Sequence, residues 1–292
     1  MSPTDMKAVV FYGPHSIAIE SRPIPKVQHD KDIVVKVSAS GLCGSDLHYF
    51  RGHEVVDSAG FIMGHEFVGE VVEAGRAVTT VRPGDKVVSP FTVSCGDCFY
   101  CKLQNSSRCV HCQVFGSNGL DGAQAEYVRV PLADSTVVRA PPGLSDDALI
   151  LMADIFPTGF FGARNAMAGL GAQDPTEAVV VVIGCGPVGL CAIVSALEYR
   201  PRVVFAIDSV DSRLGLAEKL GARPLDLKKG VPSIISAVQE VTEGRGADAV
   251  VEVVGQGPAL RTAYDIIRPF GSISSIGAHH SAMPFSATDG YE

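Results

Sequence analysis

The chain has 292 residues, 46% of them hydrophobic and 19% charged, with a formal net charge of −8. That composition excludes a disordered chain and leaves room for two hydrophobic cores. The negative balance, with no basic run to relieve it, sets nucleic acid aside as a partner.

The N-terminus, Met1-Ser2-Pro3-Thr4-Asp5-Met6-Lys7, has no basic region followed by an apolar stretch, so a cytoplasmic location is expected. Residues 1 to about 150 carry short β-like runs, such as 33–37 and 66–73, punctuated by turns such as Arg82-Pro83-Gly84-Asp85-Lys86. They read as a partly closed β lobe. From Ala178 the pattern changes to alternating strands and helices. Strands are predicted at 178–183, 203–207, 249–254 and 272–276, with a weak fifth near 224–227. Helical periodicity covers 188–199, 211–220, 233–243 and 259–267, with Gly221 as a C-terminal cap. Alternation of this kind makes an α/β fold with a doubly wound parallel sheet. The uncharged stretch from Ala178 to Leu197 is interrupted by Gly184, Gly186, Pro187 and Gly189. It reads as buried strand, turn and helix rather than a membrane span, and no membrane association is expected.

Two motifs carry chemistry, the first by its spacing and the second by its glycines together with the strand and helix around them. Cys95, Cys98, Cys101 and Cys109 follow C-x2-C-x2-C-x7-C, close enough for one tetrahedral ion to take all four thiolates. That is the pattern of a closed, structural zinc site. The second is Gly184-x-Gly186-x-x-Gly189 after a strand: the first glycine permits a tight turn, the second lets backbone approach a pyrophosphate, and the third lets the helix pack closely. Asp208, 19 residues after Gly189, closes the second strand, where a carboxylate binds an adenosine ribose and repels a 2′-phosphate, which favours NAD over NADP. Arg213 is a candidate to fold back toward that ribose, and equally a helix-surface arginine.

Other residues are ambiguous one by one. Cys43 in Gly41-Leu42-Cys43-Gly44-Ser45-Asp46-Leu47-His48 fits a small core residue as well as a ligand, His65 in Gly64-His65-Glu66 fits a satisfied polar group, and Asp154 fits a helix cap. Composition and spacing do not bring them together.

Gly64-His65-Glu66-x-x-Gly69, with Gly75 and Val78 following, resembles the signature of zinc-containing alcohol dehydrogenases of the medium-chain dehydrogenase/reductase family. The cysteine quartet and the glycine turn fall where that family has its structural zinc and its coenzyme fold, and the likeness covers essentially the whole chain. The resemblance implies a GroES-like catalytic domain over residues 1–155 and a Rossmann domain over 156–292. It implies that Cys43, His65 and Asp154 ligate a catalytic zinc, that Ser45 and His48 relay the alcohol proton, and that Glu66 orients toward the metal. Phe91 matches a substrate-pocket aromatic, and Thr158 and Val188 match positions beside the nicotinamide ring. For Ser45 a helix cap, for His48 a surface histidine, and for the last three plain packing are the alternatives. Asp46 reads as a cap or a partner of a ligand rather than a catalyst.

Asp154 stands where many relatives have cysteine, and 154–159 is similar to the glutathione-independent formaldehyde dehydrogenase and dismutase branch. The activity implied is hydride transfer between a small alcohol or aldehyde hydrate and NAD, with one catalytic and one structural zinc. Gly44 replaces an arginine common after the first zinc cysteine, which suggests weaker cofactor binding or faster release. Relatives also continue beyond the point matching Glu292, so the expectation is a Rossmann sheet lacking its last strand, with an exposed flank that favours homo-oligomers. The alternative weighed is a non-catalytic zinc-binding remnant. A zinc-free enoyl or quinone reductase is disfavoured by the intact quartet and Gly64-His65-Glu66.

Overall fold

Three sheets carry the chain in the computed structural model, which describes residues 4–54, 56, 58–279, 282–286 and 289. Strands β1 (Asp5–Gly13) and β2 (Ser16–Pro23) form an antiparallel hairpin. It is joined to the lobe behind it by bridges from Ala8 to Ala125 and from Val10 to Ile62. The second sheet is antiparallel and contains β3 (Ile33–Ser40), β4 (Phe67–Ala74), β5 (Lys86–Ser89), β6 (Tyr127–Val130) and β7 (Val138–Arg139), in the order β6-β3-β4-β5-β7. Alternate residues Ile33, Val35, Phe67, Val71 and Val87 meet Val128 and Val130 in one core, so the period-2 pattern of these strands places them. Helix α1 (Gly44–Arg51) and the short turns α2 (Phe99–Lys102), α3 (Ala133–Thr136) and α4 (Asp146–Leu149) decorate this lobe.

The third sheet is wholly parallel: β8 (Val179–Ile183), β9 (Val203–Asp208), β10 (Arg223–Asp226), β11 (Ala247–Glu252) and β12 (Ile267–Ser275), ordered β10-β9-β8-β11-β12. Both faces are covered, as parallel sheets require. Val180, Val182, Val204 and Ala206 pack under α5 (Ile155–Ala168), α6 (Pro187–Leu197) and α7 (Asp211–Lys219). Val179, Val181, Phe205 and Ile207 pack under α8 (Val231–Thr242) and α9 (Gly257–Ile266). The strand order reverses between β8 and β11, and ligands of such sheets bind at the carboxyl ends beside that switch point. The chain divides into two compact units, Met1–Asp154 and Ile155–Glu292.

The predicted strands and helices of the second unit are all present, with shifted ends. β11 stops at Glu252 rather than at 254, because the Glu252 carboxylate accepts the backbone N–H groups of Val254 and Gly255, both at 2.8 Å, and turns the chain. Gly221, at φ +107°, follows α7 as the predicted cap. Within 178–197 the chain makes a strand, a glycine turn and a helix, and among the described residues no helix is long and apolar enough to cross a membrane.

Candidate active site

Cys43 ends the loop after β3 and is the N-cap of α1. Asp46, three residues on, accepts the Cys43 N–H at 3.0 Å, closing a capping box that holds the thiol at the helix start. His65 follows Gly64, whose φ of +91° and crowded surroundings exclude a side chain: a Cβ there would lie 2.4 Å from the Gln124 side chain. Asp154 is delivered from a third segment, which is anchored where Leu149 and Ala153 pack on Val68 and Val88. Residues far apart in sequence thus converge within the first unit.

The ligand atoms of Cys43, His65 and Asp154 all lie within 4.8 Å of one another. His65 Nε2 is 3.3 Å from Asp154 Oδ2, and Cys43 Sγ is 3.8 Å from the same oxygen. Tetrahedral zinc with Zn–N and Zn–O near ~2.1 Å and Zn–S near ~2.3 Å sets its ligands roughly 3.4 to 3.8 Å apart, so the donor set fits. His65 is nearly buried, with Asp46 Oδ1 3.3 Å from its Nδ1. Carboxylates thus face both ring nitrogens, and with a metal at Nε2 the proton would sit on Nδ1, held by Asp46. Burial pulls the imidazole pKa down, but Asp154, Asp46 and Cys43 outweigh it and push it up to about 12. The pocket calls for positive charge, which a divalent ion supplies.

Ser45 Oγ lies 3.4 Å from His65 Nε2 on the first turn of α1, and His48 follows one turn later on the same helix. The His48 ring is 5.7 Å from that of His53, centroid to centroid. Glu66 is buried against Gly41, and burial, together with the Asp154 charge, raises its pKa to about 7. The Phe91 ring stands edge-on to His65 at 6.1 Å. Gln124 was not singled out by sequence: its amide N–H reaches Asp46 Oδ2 at 3.3 Å, and nothing local in the sequence signals that contact.

The thiols of Cys95, Cys98, Cys101 and Cys109 also fall within 4.8 Å of one another. Backbone N–H groups of Cys95 and His111 point at Cys109 Sγ, at 3.2 and 3.3 Å, and that of Cys98 at Cys95 Sγ, at 3.4 Å. N–H groups at Cys101 and Val110 lower the Cys98 pKa to about 6. Lost hydration and the neighbouring thiols push Cys101 up to about 12. Four thiolates cannot share this space without a cation, and a set of four cysteine ligands is typical of structural zinc.

In the second unit Gly184 has φ +96°, and a Cβ on Gly189 would sit 1.8 Å from the Gly184 carbonyl oxygen. A Cβ on Gly186 would meet nothing within 4 Å, so the second glycine keeps a face open beside the α6 N-terminus. Asp208 accepts the N–H groups of Cys185 at 2.8 Å, Ser209 at 2.8 Å and Val210 at 2.9 Å, and Arg213 Nη1 is 3.7 Å from its Oδ2. Thr158 lies on α5 and Val188 on α6; a Cβ on Gly159 would touch the Val188 carbonyl oxygen at 2.8 Å, so these helices meet backbone to backbone.

Residues 29–142 match the alcohol dehydrogenase GroES-like domain, and residues 187–290 match the zinc-binding dehydrogenase domain. Zinc-type alcohol dehydrogenase B of Aspergillus flavus is 55% identical over 98% of this chain and 67% of its own length. The chain belongs to the zinc-type alcohol dehydrogenase family. Within that family, alcohol dehydrogenase TADH from Thermus sp. ATN1 superposes with a TM-score of 0.89 at 36% identity, covering 98% of this chain and 82% of that one. The expected kinship with the formaldehyde branch is more distant: the glutathione-independent formaldehyde dehydrogenase of Pseudomonas aeruginosa is 35% identical over 85% of this chain and 65% of its own length. A zinc-type alcohol dehydrogenase without that name is nearer, so the likeness around Asp154 does not place the chain in the formaldehyde branch.

Proposed function

We propose that this zinc-type alcohol dehydrogenase transfers hydride between a small alcohol or aldehyde hydrate and NAD, using one catalytic and one structural zinc. The observation that carries the reading is the convergence of a thiol, an imidazole and a carboxylate to zinc-like spacing, 3.3 and 3.8 Å about one Asp154 oxygen. Zinc held by Cys43, His65 and Asp154 would supply Lewis acidity toward a substrate hydroxyl, and NAD the hydride acceptor. Ser45 Oγ, beside His65, is placed to take the hydroxyl proton and hand it on toward His48, which shares its helix face. With a metal at Nε2, Asp46 would hold the His65 proton on Nδ1 and leave Nε2 facing Asp154 and Ser45. The Phe91 ring, 6.1 Å from that of His65, would offer an apolar surface to the carbon chain of the substrate. Proton and hydride leave separate atoms of the substrate, and the carbonyl product remains.

NAD is favoured over NADP by Asp208. A carboxylate has about four lone-pair sites, and backbone N–H groups take three here, so one remains for a ribose hydroxyl while its charge opposes a 2′-phosphate. The open face at Gly186 would receive the pyrophosphate, and the family resemblance assigns Thr158 and Val188 to the nicotinamide side. Formaldehyde or its hydrate is the leading substrate, on the aspartate ligand and the name of the Pseudomonas aeruginosa relative. None of the eight cysteines is paired in a disulfide, which leaves five of them available to the two proposed zincs. The convergence of the three ligand side chains weighs against a non-catalytic remnant. The test is alcohol-dependent NADH formation with zinc counted by mass spectrometry. Cys43→Ala and His65→Ala should each abolish turnover and retain one zinc per chain; substantial turnover in either would overturn the mechanism.

A further inference from the structure

Glu252 is fully buried at the carboxyl end of β11, next to the switch point, and has no part in either metal site. Burying a carboxylate is costly unless its lone pairs are filled. One oxygen accepts the N–H groups of Val254 and Gly255, both at 2.8 Å. The other accepts the Ser275 hydroxyl at 2.7 Å and lies 3.2 Å from His279 Nε2. Since Ser275 gives its single proton to Glu252, its oxygen is left to accept from His279 Nε2, 2.7 Å away. His279 therefore donates inward to Ser275 and Glu252 together.

The group ties the ends of β11 and β12 together, beside the glycine turn that follows β8. A Cβ on Gly184 would lie 2.8 Å from Val254 Cγ2 and 2.9 Å from Val253 Cγ2, so the turn that Glu252 holds is packed on the glycine turn. Beyond β12, a Cβ on Gly277 would lie 2.1 Å from Gly255 N, and one on Gly255 would lie 2.4 Å from the Ala278 carbonyl oxygen. Neither backbone can shift without moving the other, and both border the edge where a parallel sheet of this order binds its ligand.

We propose that His279, acting through Ser275 and Glu252, is a positioning residue for the dinucleotide: it latches 276–278 against 253–255 and so sets the shape of the glycine-turn edge. This rests on the dinucleotide reading above. The hydroxyl and the imidazole are the adjustable parts of the latch, and the buried carboxylate is its fixed hub.

The experiment measures NADH binding by fluorescence, without alcohol, for the wild type, His279→Leu, His279→Gln and Ser275→Ala, with melting temperature and zinc content of each. Glutamine carries an N–H at about the reach of Nε2, whereas leucine fills similar volume without one. His279→Leu and Ser275→Ala should weaken NADH binding about tenfold, the worth of one hydrogen bond. His279→Gln should recover most of that loss, and zinc content should not change. His279→Leu binding NADH as the wild type does, while the wild type binds normally, overturns this inference alone. Equal losses in the leucine and glutamine variants, with lowered melting temperatures, reduce His279 to packing and also overturn it. A wild type that binds neither NADH nor NADPH overturns the dinucleotide reading and this inference with it.

Discussion

Asp46 serves His65 and Cys43 at once: one carboxylate oxygen lies 3.3 Å from His65 Nδ1, and the other accepts the Cys43 N–H at 3.0 Å. A single side chain therefore orients two ligands that are 22 residues apart in sequence. Gln124 donates to the same oxygen that accepts the Cys43 N–H, at 3.3 Å. Asp46→Asn keeps the shape and loses the charge. Catalytic-site zinc affinity should fall roughly 10- to 100-fold, as for other partners of ligating histidines. Chelator titration checks this, and the quartet's zinc should be retained.

Replacing Cys98 by serine should remove the structural zinc and leave the Cys43 site able to bind. Structural zinc contributes several kcal/mol, and ~1 kcal/mol moves the melting temperature by about 2–4 °C at this size, so a fall of roughly 10 °C is expected. Zinc counting beside a thermal melt separates this from a general folding defect.

Gly186 and Gly189 should respond oppositely to alanine. At Gly186 φ is −70° and a Cβ meets nothing, so the fold should tolerate Gly186→Ala while the pyrophosphate loses its close approach. The expected result is an unchanged melting temperature with NADH binding weakened about tenfold or more. At Gly189 the Cβ would lie 1.8 Å from a carbonyl oxygen, so Gly189→Ala should destabilise the second unit itself. Unchanged stability in Gly189→Ala would contradict the packing.

Asp134 should give the acid limb of stability a measurable component. Partial desolvation raises its pKa, but the N–H groups and hydroxyls of Thr80 and Thr79 prevail and lower it to about 2. Because the folded pKa is the lower one, the contribution is complete above about pH 4 and is lost as pH falls toward about 2. Asp134→Asn should flatten the stability profile across that window and leave its slope above about pH 5 unchanged. Denaturant melts across acidic pH measure it.

Exchanging Asp208 for glycine should raise the Michaelis constant for NAD far more than that for alcohol, since the carboxylate also holds the Cys185 N–H in the glycine turn. An unchanged cofactor preference would remove Asp208 from the site.

Much of this was written locally in the chain. The cysteine quartet spans 15 residues, so a compact local loop is enough to bring four thiols near one point. The glycine turn is likewise one strand, one turn and one helix, so its spacing states its geometry, and the alternation of buried residues dictated which face of each strand points inward. Asp46 was legible as a cap, because capping is a contact three residues long. What only the tertiary structure decided was the meeting of Cys43, His65 and Asp154 across 111 residues, the reach of Gln124 to Asp46, and the Glu252, Ser275 and His279 group. These contacts depend on which strands pair and where β11 ends. A pattern of spacing or periodicity cannot encode them, because the atoms involved share no local segment of backbone.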